Sequence, residues 1–235
     1  MNAGRRASAL APGTWMVLAV LLLCACAPEN VSAPSTTQVM AVYGTAAAQP
    51  WLTKLYDCAA GQSAVLSKVN DPQSAAIVLR LGELQGPATS AFQVGHDTLE
   101  VWTNVQNPVT SLSAPQVRQL FSGEIRNWVS IGGTDAQVNV WVYAEEDDVQ
   151  QAFETTSMAG NPITSLARLA TSPNEMEQAI ADDKDAIGIL SGGLASSSPV
   201  AGGHSVYTSG SVPVLAITPA EPQGTVKDLL GCMQK

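Results

Sequence analysis

The feature that most constrains this chain is the regular alternation of short apolar segments with amphipathic ones after residue 38. Short β-branched or apolar runs predict strands, and apolar residues at helical spacing predict helices. Such alternation predicts an α/β fold of mostly parallel sheets flanked by helices, with ligands at the carboxyl ends of the strands. The predicted strands are 39–43, 75–81, 99–103, 138–143, 186–190 and 212–218.

Helix boundaries are marked by local capping signals. Ser113 and Ser172 are each followed by Pro within two positions and by Gln or Glu three residues later, which is the capping-box pattern. Pro50 and Gly61 delimit another helix, and Thr225 is the expected cap of the last one. The predicted helices are 50–60, 114–121, 148–155, 173–181 and 225–233, whereas the Ser- and Gly-rich stretch 192–210 predicts a loop.

The N-terminal residues predict export and a lipid anchor. Arg5 and Arg6 precede an apolar run, and the sequence Leu-Cys-Ala-Cys ending at Cys26 is typical of a bacterial lipoprotein signal. We therefore expect a signal peptide over residues 1–25, lipid on Cys26, and location on the outer face of the cell membrane. Cys24 is a rival acceptor, and a plain signal peptide or an uncleaved anchor are the alternatives.

Composition excludes some partners of the exported chain. Residues 26–37 are rich in Pro, Ser and Thr and predict a flexible tether. Removal of residues 1–25 takes two of the 11 basic residues and none of the 20 acidic ones, which leaves a net charge of −11. Such a surface repels nucleic acid, so we expect no nucleic-acid partner.

The remaining cysteines predict one disulfide. Cys58 and Cys232 are the only thiols after Cys26, and two cysteines in an exported protein most simply pair with each other. Two separate buried thiols are the alternative. A metal site has little support because no CxxC motif occurs and His96 and His204 are the only histidines. No cofactor motif is present.

One segment resembles a known family. The helix that ends in Phe-Ser-Gly, the Asn-Trp pair and the Ile-Gly-Gly that follow are similar to the phosphate-type substrate-binding proteins of ABC transporters. Weaker likeness covers the first turn, a strand that crosses between lobes and the strand that returns. The residues that carry the resemblance are 107–113, 116–128 and 131–133, then 42–46, 97–104 and 185–191.

The resemblance implies a two-lobed fold of the type II periplasmic-binding-protein class. One lobe would contain residues 38–97 and 186–235, and the other would contain residues 98–185. A small molecule or small anion would lie in the cleft, and an ABC permease would be the membrane partner. We expect a monomer that is anchored to the membrane only through its lipid.

The family's binding residues transfer to this sequence only in part. Thr45, with Gly44 and Ala46, matches the first oxyanion-binding turn. Asp97 matches an acidic residue before the crossing strand, and Ser191 follows the returning strand.

The family's Ser-Gly-Thr motif is missing at the start of the helix near residue 148. Asp147, Asp148 and Val149 stand in its place, preceded by Glu145 and Glu146. An inward carboxylate about 4 Å from a phosphate costs about 4 kcal/mol per charge pair at an effective dielectric constant of 20. We therefore predict weak phosphate binding and favour an uncharged or amine-bearing ligand, with Glu146, Asp147 and Asp148 in the site.

Alternatives remain for these acids and for the function. Acids at a helix start are favoured by capping and by the helix dipole, so they could face water. A divalent cation bridged by the carboxylates is a third option. An enzyme is not expected, since no catalytic motif such as Gly-x-Ser-x-Gly or HExxH occurs. A binding fold that acts as a sensor or as an interaction or adhesion module without transport is the alternative function.

Overall fold

The computed structural model describes residues 38–62, 64–84, 90–197 and 200–235. The expected signal peptide, the tether and Cys26 lie outside these residues. Within the described ranges, none of the helices combines the length and the apolar character that a membrane crossing requires.

Strands and helices alternate along the described chain as the sequence predicts. The elements in chain order are β1 (Gln38–Gly44), α1 (Gln49–Ala60), β2 (Ala64–Lys68), β3 (Ile77–Leu81), β4 (Ser90–Asn104), α2 (Ala114–Phe121), β5 (Asn139–Val142), α3 (Asp148–Phe153), β6 (Arg168–Leu169), α4 (Pro173–Asp182), β7 (Ala186–Ser191), α5 (Gly192–Ser197), β8 (Gly203–Thr218) and α6 (Gly224–Met233).

These eight strands form one sheet in the order β2-β1-β3-β8-β4-β7-β5-β6. Pairs β1–β2, β1–β3, β5–β6 and β5–β7 are parallel, whereas β3–β8, β4–β7 and β4–β8 are antiparallel. The sheet is therefore mixed, whereas the sequence predicts mostly parallel pairing, and its parallel pairs lie at its two ends. The helices that flank it are those expected of an α/β fold.

Two long strands connect the two ends of the sheet. β4 and β8 pair from Ser90 opposite Thr218 to Asn104 opposite Gly203, with three shifts in register. β3 pairs with the last part of β8, and β7 pairs with the second half of β4. The lobe boundaries at 97/98 and 185/186 stay a prediction, and β7 is hydrogen-bonded to β5 and β4.

Several element predictions were wrong in extent. The strand predicted at 99–103 is the second half of β4, so Asp97 lies within a strand and not before one. The loop predicted at 192–210 contains α5 and the first half of β8. Strand β2 was not predicted, because it is an edge strand whose side chains are half-buried or exposed and it carries no continuous apolar run.

The capping predictions are confirmed at two helix starts and wrong in two details. Ser113 and Gln116 form the reciprocal capping box of α2. The Ser172 hydroxyl accepts from the Glu175 N–H, but the Glu175 carboxylate accepts from Thr171 and not from the cap residue. Helix α6 begins after Gln223 without a side-chain cap, in place of the expected Thr225.

The predicted disulfide is confirmed. Cys58 of α1 is bonded to Cys232 of α6, with 5.9 Å between their Cα atoms and a sequence separation of 174. The bond ties the first helix of the fold to the last. Both helices also pack their apolar faces into the core, through Leu52 and Leu55 of α1 and Leu229 and Met233 of α6.

Candidate functional site

The turn between β1 and α1 presents a hydroxyl group to a carboxylate from a distant helix. Thr45 follows β1, and its N–H donates to the Leu79 carbonyl oxygen at 3.0 Å, which fixes the turn against β3. Its Oγ1 accepts from the Ala48 N–H at 3.3 Å and donates to Asp148 Oδ2 at 2.7 Å. The hydroxyl that the resemblance implied for an external oxyanion therefore binds a side chain of the same chain.

Asp148 joins three segments through one oxygen atom. Its side chain is buried, with 4% of the residue exposed. Oδ2 accepts from the Thr45 hydroxyl at 2.7 Å and from the Leu81 backbone N–H at 2.7 Å. Thr45 precedes α1, Leu81 ends β3 and Asp148 begins α3. This carboxylate therefore binds two residues that lie 103 and 67 positions before it in the sequence. Short hydrogen bonds to an ionised acceptor are the stronger kind.

Asp147 has a different role beside it. Its Oδ1 accepts from the Val149 N–H at 2.9 Å, which makes it the N-cap of α3. Burial raises the pKa of Asp147 to about 6, and the charge of Asp148 acts in the same direction. The N–H groups of Val149 and Gln150 and the nearby Arg80 guanidinium act against the rise without cancelling it.

A cavity of about 490 Å³ at the carboxyl ends of β1, β3 and β5 is lined by Thr45, Asp147 and Asp148, among others. Arg80 is a cation in its wall and donates from Nη2 to Gln151 Oε1 at 2.8 Å. The wall therefore combines three carboxylates with one guanidinium. Its lining includes Tyr43, Thr45, Ala46, Arg80, Ala144, Glu146, Asp147, Asp148 and Thr171.

The four acids singled out from the sequence divide by environment. Glu145 and Glu146 are exposed, and Glu146 lines the cavity from the outside. Asp147 caps the helix, as the capping interpretation predicts, and Asp148 points inward onto Thr45. The described residues contain no group of three or more acidic, His or Cys side chains arranged for a metal ion.

Asp97 belongs to a second cavity, of about 500 Å³, that is lined by Trp51, Lys54 and Glu100 among others. Its Oδ1 accepts from the Thr98 N–H at 2.7 Å and from the Gly193 N–H at 2.9 Å. Burial raises its pKa. The structure therefore does not place Asp97 beside Thr45 and Asp148.

The other predicted residues are also spread out. Gly44 ends β1 and, with Ala46, lines a third cavity next to Ser172 at the start of α4. Ser191 is fully buried in β7 opposite Leu99, and its Oγ has no hydrogen-bond partner within the described residues. The cavity beside Asp148 thus contains Thr45, Ala46, Glu146, Asp147 and Asp148 of the predicted set.

Sequence reasoning missed two contributors to the site. Arg80 is the single charge in the apolar strand Ile77–Leu81, and its position near the carboxyl end of that strand was an available signal. The Leu81 N–H contributes through the backbone, and no residue type marks such a group in a sequence.

Comparisons with known proteins place the fold. Residues 60–225 match the family model for the PBP superfamily domain. A protein from Clostridium perfringens, described as a phosphate ABC transporter substrate-binding protein with bound phosphate, is similar in structure. Its TM-score is 0.72 at 16% identity, over 83% of this chain and 93% of that one. An ABC-type phosphate transport receptor from Vibrio cholerae gives a TM-score of 0.61 at 16% identity, over 84% and 94%.

A regulatory domain has a similar fold as well. A variant of the OxyR2 regulatory domain from Vibrio vulnificus gives a TM-score of 0.61 at 8% identity, over 84% of this chain and 97% of that one. No curated protein sequence matches this chain. Together the structural likenesses confirm the predicted two-lobed α/β fold class.

Proposed function

This chain belongs to the PBP superfamily of periplasmic-binding-protein domains, and from that premise we propose that it is an exported receptor that binds a small solute between two lobes. The observation that best supports this function is the cavity of about 490 Å³ beside Thr45 and Asp148. It lies where an α/β sheet offers a binding site, at the carboxyl ends of its strands. Solute binding, and not catalysis, is the activity of this superfamily's receptors.

The two walls of this cavity come from different parts of the chain. Thr45 and Arg80 belong to the proposed lobe of residues 38–97 and 186–235, and Asp147 and Asp148 belong to the proposed lobe of residues 98–185. A ligand between them would contact both lobes and favour their closure. An ABC permease is the partner that would receive the ligand.

The charges of the cavity favour an uncharged or amine-bearing ligand over phosphate. Three carboxylates face one guanidinium, and Asp148 already accepts the hydrogen bonds of Thr45 and Leu81. A phosphate about 4 Å from one unpaired carboxylate would lose about 4 kcal/mol at an effective dielectric constant of 20. The phosphate receptors of similar fold are therefore guides to architecture and not to ligand.

Thermal unfolding with added compounds tests this function. The probes are inorganic phosphate, the amino acids and short diamines, each at 1 mM. We expect one amine-bearing or neutral compound to raise the melting temperature through mass action, and phosphate to leave it unchanged. The exchange Glu146→Gln removes one carboxylate of the cavity wall and should weaken the response, whereas Glu124→Gln, on the exposed surface, should not. Micromolar phosphate affinity by isothermal titration would contradict the proposal.

Export and anchoring form a separate part of the proposal. Lipid on Cys26, after removal of residues 1–25, would hold the receptor on the outer face of the membrane, and residues 26–37 would give it reach. Metabolic labelling with palmitate should mark the wild-type chain and fail with Cys26→Ser. Retained label in Cys26→Ser and lost label in Cys24→Ser would move the anchor to Cys24.

A second candidate is a sensor or interaction module that has the binding fold and carries out no transport. It is favoured by the Asp148 contacts, because the donors of the site are satisfied without a ligand. The same thermal experiment separates the two functions. A receptor responds to at least one small compound, and an interaction module responds to none.

A further inference from the structure

Two hydrogen-bond donors, from the β1–α1 turn and from the end of β3, converge on a single carboxylate oxygen at the start of α3. The Thr45 hydroxyl and the Leu81 N–H both lie 2.7 Å from Asp148 Oδ2. They come from different segments, since Thr45 follows β1 and Leu81 ends β3. Their shared target means that the β1–α1 turn and the end of β3 together form a small pocket for one anionic oxygen.

The environment of this pocket suits an oxyanion in general and not only a carboxylate. A hydroxyl and a backbone N–H are neutral donors that hydrogen-bond a phosphate or sulfate oxygen as readily as a carboxylate oxygen. Arg80 lines the same cavity and supplies positive charge. Asp148 is almost fully buried, so its oxygen fills the space that a free anion would need.

We propose that Asp148 is a built-in anion that occupies an oxyanion site formed by the Thr45 hydroxyl and the Leu81 N–H, with Arg80 in the wall of the same cavity. The inference rests on the proposed function and extends it by stating which ligands cannot bind in the cleft. Two features exclude a free oxyanion from this site. The Thr45 hydroxyl and the Leu81 N–H already donate to Asp148, and the carboxylate of Asp148 repels a second negative charge. The chain also makes from its own residues a contact across the cavity that a ligand would otherwise provide.

The site should become open to free oxyanions when this carboxylate is removed. The test variant is Asp147→Ser with Asp148→Gly, in which Ser keeps an N-cap for α3 and Gly leaves the donors vacant. The matched control is Glu146→Gln with Asp147→Ser. It removes the same number of charges from the cavity wall and keeps Asp148 on Thr45 and Leu81.

Isothermal titration with inorganic phosphate and with sulfate measures the outcome. We expect the test variant to bind at least one of these anions with a Kd of about 100 μM or tighter, which is at least 100-fold tighter than the control. A 100-fold gain corresponds to about 2.8 kcal/mol, and the removal of one charge repulsion within the site is large enough to provide it. A further exchange, Thr45→Val in the test variant, should reverse most of the gain because it removes one donor.

Three results would overturn the inference. They are equal and weak anion binding by a folded test variant and its control, micromolar phosphate binding by the wild type, and a gain that Thr45→Val leaves intact. If the test variant is unfolded by circular dichroism, 100 mM phosphate should restore its folded spectrum, since binding stabilises only the folded state. Absence of that rescue also counts against the inference.

This outcome is distinguishable from failure of the proposed function. If none of the amine-bearing or neutral compounds raises the melting temperature of the wild-type chain, the receptor proposal is refuted. The gain of anion binding on removal of Asp148 would be unaffected by that result.

Discussion

The exchange Asp147→Asn should make the protein more stable at neutral pH and leave it unchanged near pH 4. Burial raises the pKa of Asp147 to about 6, from an ordinary value near 4. Asn is an equally good N-cap, so the hydrogen bond from the Val149 N–H survives the exchange. What changes is the charge, which the folded protein tolerates poorly in this position.

The direction of the effect follows from proton binding. Between about pH 4 and pH 6 the folded state holds a proton on Asp147 that the unfolded state has lost. The free energy of unfolding of the wild type therefore falls as the pH rises through this window and levels off above it. A difference of about two pKa units corresponds to ~3 kcal/mol. Because the side chain is only partly buried, solvent screening reduces the expected effect to ~1–2 kcal/mol.

Urea unfolding of both proteins at pH 4, 5, 6, 7 and 8 measures this quantity. Subtraction of the two stability curves cancels the groups that titrate in both proteins. The difference should be near zero at pH 4 and favour Asp147→Asn by ~1–2 kcal/mol at pH 7. Asp71→Asn is the matched control, since Asp71 accepts from the Gln73 N–H at the start of an exposed 3₁₀ turn. A flat difference curve, or one of opposite sign, would refute the reasoning.

Three further predictions concern stability. Replacement of Cys58 and Cys232 by Ser opens a loop with a sequence separation of 174. It should lower the free energy of unfolding by ~3–5 kcal/mol, measured by denaturant titration. Gly95→Ala places a methyl group against the Trp51 ring. It should cost ~1–3 kcal/mol and alter the near-ultraviolet circular dichroism. Trp128 is fully buried. Trp128→Ala should cost ~3–5 kcal/mol and Trp128→Phe distinctly less, measured by thermal unfolding.

The sequence predicts elements well where the local pattern and the tertiary environment agree. The helix that begins after Ser113 has its cap, its Pro and its buried residues within ten positions, so local signals suffice. β8 lacks such agreement in its first half, 203–211, which is rich in Ser and Gly. That half is a strand because β4 lies beside it and supplies hydrogen bonds over its length. Pairing between residues more than 90 positions apart is a property of the fold and not of the local composition.

The same distinction applies to the candidate site. Thr45 and Asp148 can both be selected from the sequence, one for its turn and one for its place at a helix start. Their hydrogen bond cannot, because it depends on how closely α3 approaches the β1–α1 turn. Arg80 was not selected from the sequence, because a single charge in an apolar strand is also typical of a position that faces solvent. Its place in the cavity wall becomes evident only from the structure.

The bond between Cys58 and Cys232 also has a consequence for resistance to proteases. It closes a covalent ring that contains every strand of the described residues except β1. A protease that cuts one peptide bond anywhere in this ring leaves a single connected molecule, whose two pieces cannot diffuse apart. Such a nicked chain would run as two fragments on a denaturing gel only after reduction. The enclosed segments can therefore suffer one cleavage and still be held where the fold needs them.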